Sequence, residues 1–157
     1  MISAELAKSL NEQVGHELTA SQQYLAIAVY FAQQNLDGWA GLFYRQSEEE
    51  REHALKIVRF LVDAGVKFDI PATAKAAPSF KSAADAVKKA HQWELQVTQQ
   101  FQEMARIATE KRDYTGFQFL QWFIEEQVEE VTTMEKLLAL LESGINLFQA
   151  EALLPKE

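Results

Sequence analysis

The chain has 157 residues, 48% of them hydrophobic and 24% charged, proportions of an ordinary folded domain that exclude disorder and collagen-like repetition. Lys and Arg number 15 against 23 Asp and Glu, a net charge of −8, which argues against nucleic acid or an anionic membrane as the main partner and favours cations. Cysteine is absent, which removes disulfides, thiolate catalysis, zinc fingers and iron–sulfur clusters, so any metal must be held by oxygen and nitrogen.

The length suits a single domain, 1–157. The longest unbroken apolar run is LAIAVYFA, Leu25 to Ala32, less than half of what a membrane span needs. The N-terminal MISAELAKSLNEQ has no apolar signal core, and a cytoplasmic location is expected. The three prolines, Pro71, Pro78 and Pro155, leave 1–70 and 79–154 free to be helical. Ser3 caps a first helix that runs to about Gln34, where Asn35-Leu36-Asp37-Gly38 breaks it. A second helix runs from about Gly38 to Ala64 and ends at Gly65. Residues 66–81 read as a long extended connection. Ser82 caps a third helix to about Lys111, Asp113 caps a fourth to about Ser143, and Asn146 begins a short fifth through Leu154.

Four helices of nearly 30 residues, roughly 40–45 Å long, can bury their apolar faces only against one another. The expected fold is therefore all-α: a four-helix bundle of two antiparallel hairpins joined by one long crossover, with a short C-terminal fifth helix. Positions alternating three and four apart give the seam that each helix turns to the bundle axis. The first seam is Leu10, Val14, Glu17, Ser21, Tyr24, Ala28, Phe31; the second is Trp39, Phe43, Gln46, Glu50, His53, Ile57, Phe60, Ala64. The third is Ala84, Val87, His91, Glu94, Thr98, Phe101, Ala105, Ala108; the fourth is Leu120, Phe123, Gln127, Glu130, Met134, Leu137, Leu141. Every seam is apolar or small except near its midpoint, where it carries a carboxylate.

The spacing repeats. Glu17 precedes Glu50 by 33 residues and His53 by 36, and Glu94 precedes Gln127 by 33 and Glu130 by 36, so a shift of 77 superposes the hairpins at these positions. All six side chains should converge at one depth. Four unpaired buried carboxylates would cost several kcal/mol each, more than a small domain's net stability absorbs, and no Lys or Arg lies on any seam. Two divalent cations would neutralise Glu17, Glu50, Glu94 and Glu130, with His53 neutral and Gln127 offering a carbonyl oxygen. Carboxylate and imidazole ligation without sulfur suits iron or manganese, with zinc a competitor.

These residues resemble the ferroxidase centre of the ferritins, whose local signature is the Glu-x-x-His of Glu50 and His53. The resemblance extends over YLAIAVYF, EEEREHA, FLQWFIEEQVEE and the terminal NLFQAE, and is nearest to the bacterial non-haem ferritins. It implies one iron held by Glu17, Glu50 and His53, with Glu50 bridging to a second held by Glu94 and Glu130. Gln127 would stand nearby as a weaker ligand or hydrogen-bond partner. Glu49, Glu126 and Glu129, with Glu130, match a third iron site of bacterial ferritins. No haem is expected, because Arg51 stands where bacterioferritins carry their haem-ligating methionine. The resemblance further implies an iron-storage ferroxidase that uses dioxygen or peroxide, and a hollow homo-oligomeric shell of 24 subunits holding ferric mineral.

Tyr24, two turns after Glu17, could bond a metal ligand with its hydroxyl and donate an electron during oxygen reduction, or stand as a core tyrosine. Trp122 reads as packing, His91 as a hydrogen-bonded core histidine one layer off the centre, and His16 as off the seam. Second apolar stripes, Leu18, Leu25 and Ala32 on the first helix and Ala90, Trp93, Val97 and Met104 on the third, exceed what an isolated bundle should expose, so subunit contacts are expected. The short terminal helix should pack into a symmetric contact. Two rivals remain: a di-metal oxidase or peroxidase without storage, and a metal-free helical scaffold.

Overall fold

Each long helix begins where the sequence supplies an acceptor for its orphan N–H groups, and the bundle is assembled from those limits. In the computed structural model, which describes residues 1–156, α1 spans Ala4–Ala32, α2 Asp37–Asp63, α3 Ala83–Glu110, α4 Tyr114–Glu142 and α5 Leu147–Ala150, the last continued by a 3-10 turn at Glu151–Leu153. Ser3 accepts from Leu6 N–H at 3.2 Å and Ser82 from Asp85 N–H at 3.0 Å. Asp113 accepts from Gly116 N–H at 2.9 Å through one oxygen and from Ser3 N–H at 2.8 Å through the other, tying the starts of α1 and α4 together. The hairpin turn at Asn35 needs a left-handed residue, φ 61°, and α2 stops at Gly65 with φ 75°.

Two apolar clusters form the core. One joins the C-terminal half of α1 and the start of α2 to the start of α3 and the end of α4, through Tyr24, Phe31, Trp39, Phe43, Val87 and Met134. The other joins the opposite ends, through Leu10, Val14, Ile57, Phe101, Leu120 and Phe123. The two hairpin turns therefore lie at opposite ends of the bundle, and the connector from Gly65 to Ser82 returns along its length. Ala74 N–H donates to Thr19 Oγ1 and Ala77 N–H to Gln23 Oε1, pinning the connector to α1. Gly15 lets it lie close, since a Cβ there would sit 3.0 Å from that of Pro71.

The α3 seam corrects the reading from periodicity. Ala83, Val87, Ala90, Glu94, Val97, Phe101, Met104 and Ala108 are buried, in place of Ala84, His91, Thr98 and Ala105. Both sets alternate by three and four and share Val87, Glu94, Phe101 and Ala108. Packing chooses the one that buries Val97 and Met104, whose larger apolar surface gains more on leaving water. Three members of the presumed second stripe on α3 thus belong to the core. On α2, Leu61 takes the place expected of Phe60, which stacks on Phe119 with ring centroids 3.9 Å apart.

The terminal segment docks one of its faces on its own chain. Ala150 and Leu154 are buried in the first cluster. Glu151 accepts Trp39 N–H at 2.9 Å, and the Trp39 indole N–H donates to Leu147 O at 3.0 Å. Glu151 thereby caps α2, whose own N-cap residue, Leu36, offers no side-chain bond. Phe148 and Leu153 stay 58% and 64% exposed.

Candidate metal centre

The layer between the two apolar clusters holds Glu17, Glu50, His53, Glu94, Gln127 and Glu130, all buried. Each comes from a different turn of its helix, yet 3.6-residue periodicity points all six at the axis at one depth, as their 33- and 36-residue spacings require. Three sets of ligand atoms converge closely enough for one ion each: Glu17, Glu50 and His53; Glu50, Glu94 and Glu130; and His53, Glu126 and Glu130. Glu50 belongs to the first two sets and can bridge them. His53 Nδ1 lies 3.3 Å from Glu50 Oε2 and 4.0 Å from Glu17 Oε2.

Burial drives the electrostatics. It raises Glu17 and Glu50 well above the ordinary carboxylate range, and raises Glu94 as well. Burial and the neighbouring Glu94 push Glu130 up to about 9. Among the described residues, the ion pairs of these four carboxylates involve His53 alone and never Lys or Arg. Two buried polar atoms here, Glu17 Oε2 and His53 Nδ1, have no hydrogen-bond partner. Buried polar atoms are ordinarily satisfied, and atoms of this kind facing one another suit a cation. A set of carboxylates and one imidazole fits iron, the metal that the ferritin resemblance implied, and fits manganese as well.

Glutamine amides brace the carboxylates. Gln13 Nε2 donates to Glu17 Oε1 at 3.1 Å, and Gln46 Nε2 to Glu50 Oε1 at 3.1 Å and also to Glu130 Oε2. Gln127 Nε2 donates to Glu94 Oε2 at 3.0 Å and to Thr98 Oγ1 at 3.2 Å, so of its two anticipated roles the geometry displays the hydrogen-bond partner. The Tyr24 hydroxyl donates to Glu94 Oε1, and burial followed by the Glu94 charge raises its pKa well above 10. Sequence reasoning passed over Gln13 and Gln46 as site residues. The available signal was a buried amide four residues before a seam carboxylate, the spacing that lets the two side chains meet.

The centre opens toward a groove between α2 and α4 of about 180 Å³, lined by Arg45, Gln46, Glu49, Glu126, Glu129 and Glu130. Glu126 is half-buried and approaches His53 and Glu130, whereas Glu49 and Glu129 are exposed at the groove wall. Trp122 packs edge-on to His53, centroids 5.4 Å apart, beneath Lys56 Nζ at 3.5 Å. His91 departs from expectation: it is partly exposed, its Nε2 faces Glu135 Oε1 at 3.5 Å, and Ala90 takes the core position beside it. His16 lies in a separate groove between α1 and α3, as its off-seam position implied.

A family model describing a Ferritin-like domain matches residues 7–143. The chain belongs to the ferritin family. Ferritin BfrB of Mycolicibacterium smegmatis is 40% identical over 149 residues, covering 94% of this chain and 82% of that one. A bacterial non-heme ferritin of Staphylococcus aureus is 35% identical over 135 residues, 86% and 81% of the two. The open pore ferritin of the hyperthermophilic archaeon Archaeoglobus fulgidus superposes with a TM-score of 0.94 at 26% identity over the full length of both chains. This ferritin is an all-helical bundle with a short fifth helix, in the fold of the archaeal structure it superposes on. None of its helices is long and apolar enough to cross a membrane among the described residues.

Proposed function

We propose that this ferritin is a cytoplasmic iron-storage protein and a ferroxidase, with iron as both substrate and cargo. The observation that carries the reading is the pair of buried three-ligand sets sharing Glu50, framed by apolar clusters and lacking any Lys or Arg counter-charge. One ferrous ion would be held by Glu17, Glu50 and His53, and a second by Glu50, Glu94 and Glu130, with Gln127 braced against Glu94. Two ions supply the two electrons that reduce dioxygen, with two protons, to hydrogen peroxide, each ion becoming ferric. Because burial raises the carboxylates, metal binding displaces protons from them. Tyr24, whose hydroxyl donates to Glu94, would hold that ligand in position beside the ions. The ferric product would leave through the acidic groove, where Glu49, Glu126, Glu129 and Glu130 offer a third resting place, and mineralise inside a shell of 24 subunits.

Mixing the metal-free protein with ferrous iron in air and following ferric absorbance tests the chemistry. Wild type should oxidise iron at least tenfold faster than Glu17→Ala or His53→Ala, since losing even a group that only orients a metal ligand costs about 10–100-fold. Equal rates would falsify the ferroxidase reading. Size-exclusion chromatography tests storage: a dimer in place of a shell would favour an oxidase that keeps no mineral.

A further inference from the structure

The two ion positions are not equally open. At the first, Glu17 Oε2 and His53 Nδ1 are bare, and Glu50 Oε2 faces the imidazole. At the second, the carboxylates are already engaged: Glu50 Oε1 and Glu130 Oε2 by the Gln46 amide, Glu94 Oε1 by Tyr24 and Glu94 Oε2 by Gln127. Gln46 is unusual among these partners. Its single NH2 group spans two carboxylates from different helices, each contributing to the same three-ligand set. A cation at that position would need both of the carboxylates between which the amide now sits. Gln46 is buried, 6% exposed, and lies where the α2–α4 groove meets the centre, so it stands between that set and solvent.

We propose that Gln46 stands in for the second ion in the metal-free centre and so sets how tightly that ion binds relative to the first. It is a positioning residue that acts through Glu50 and Glu130. The amide holds the two carboxylates together without a metal, keeping the position formed. It yields that position only when a cation repays two buried hydrogen bonds. At the first position Gln13 holds only Glu17 Oε1, Oε2 stays free, and among the described residues no amide spans two of the ligands as Gln46 does. The inference rests on the two-ion reading above and adds to it the residue that makes the two steps unequal.

Titration of the metal-free oligomer with cobalt(II) without oxidant, followed by visible absorption and calorimetry, separates the two steps. Wild type should bind two ions per chain, the second more weakly. Gln46→Met keeps the side chain's length and removes the donor; the second association constant should rise roughly tenfold, the equivalent of about one hydrogen bond, with the first nearly unchanged. Gln46→Glu replaces the donor with a fifth carboxylate and should also strengthen the second step. A merely structural role for Gln46 would weaken both steps together. The proposal is overturned if Gln46→Met leaves the ratio of the two constants unaltered or weakens the second step, while wild type still binds two ions. If wild type binds fewer than two ions, and Glu94→Ala loses none, the two-ion reading fails and this inference falls with it.

Discussion

A carboxylate at the centre of this bundle is in conflict with its surroundings until something positive arrives. Burial favours the protonated form of Glu17, Glu50, Glu94 and Glu130, the last up to about 9. A folded-state pKa above the unfolded one means that the native chain holds protons which the unfolded chain has released. Stability is then fully present below the ordinary carboxylate pKa and is lost as pH rises through the folded values. The metal-free protein should therefore lose thermal stability steadily between about pH 5 and 9. Divalent metal removes those protons and supplies charge in their place, so the rise in Tm on adding metal should grow with pH over the same interval. Melting curves across pH with and without metal check both trends; a metal-free Tm that climbs from pH 6 to 9 would contradict the electrostatics described here. Such behaviour belongs to single side chains, since each retains the same helix phase whether or not it is charged.

At the scale of elements, the helices are unequal in how they end. Three of the long helices carry their own caps, at Ser3, Ser82 and Asp113, while α2 borrows Glu151 from the terminal turn. Gly38 is the counterpart of that loan: a Cβ there would fall 2.2 Å from Glu151 Oε2 and 3.0 Å from Glu151 Cβ. Glu151→Ala should cost about 1 kcal/mol, as the loss of an N-cap does, and should loosen the segment that buries Ala150 and Leu154. Gly38→Ala should destabilise wild type by displacing the carboxylate, yet cost far less in the Glu151→Ala background, a non-additivity that a double-mutant cycle measures. Additive costs would mean that Gly38 is not what makes room for the Glu151 carboxylate. The cap matters to the centre as well, since α2 supplies Gln46, Glu50 and His53 below it.

At the scale of the whole molecule, the protomer leaves apolar surface uncovered. Tyr114 and Val128 lie near four turns apart on α4, 77% and 66% exposed, with Phe117 beside them, and Val62, Ile70 and Leu153 are open elsewhere. Surface of this kind on an acidic chain suits contacts between copies. Native mass spectrometry should find 24 copies of the 17.9 kDa chain, about 430 kDa. Combining Tyr114→Glu with Val128→Glu should break the assembly while far-UV circular dichroism keeps its helical signal, because neither side chain supports the core. Collapse of the helical signal would place these residues in the fold instead.

Residue order alone was enough for the helices, the caps of all but α2, the crossover and the depth at which Glu17, Glu50, His53, Glu94, Gln127 and Glu130 meet. Helical period and fixed spacing along the chain are enough to align residues on neighbouring helices once the turns are placed. Which of two equally periodic stripes on α3 faces inward was settled by packing, because that choice depends on the volume offered by α1 and α4. Tertiary structure also showed that Gln13 and Gln46 brace the carboxylates and that Glu151 caps a helix more than a hundred residues earlier. Hydrogen bonds between side chains depend on distances of a few tenths of an ångström between helices, and periodicity along one helix carries no such information.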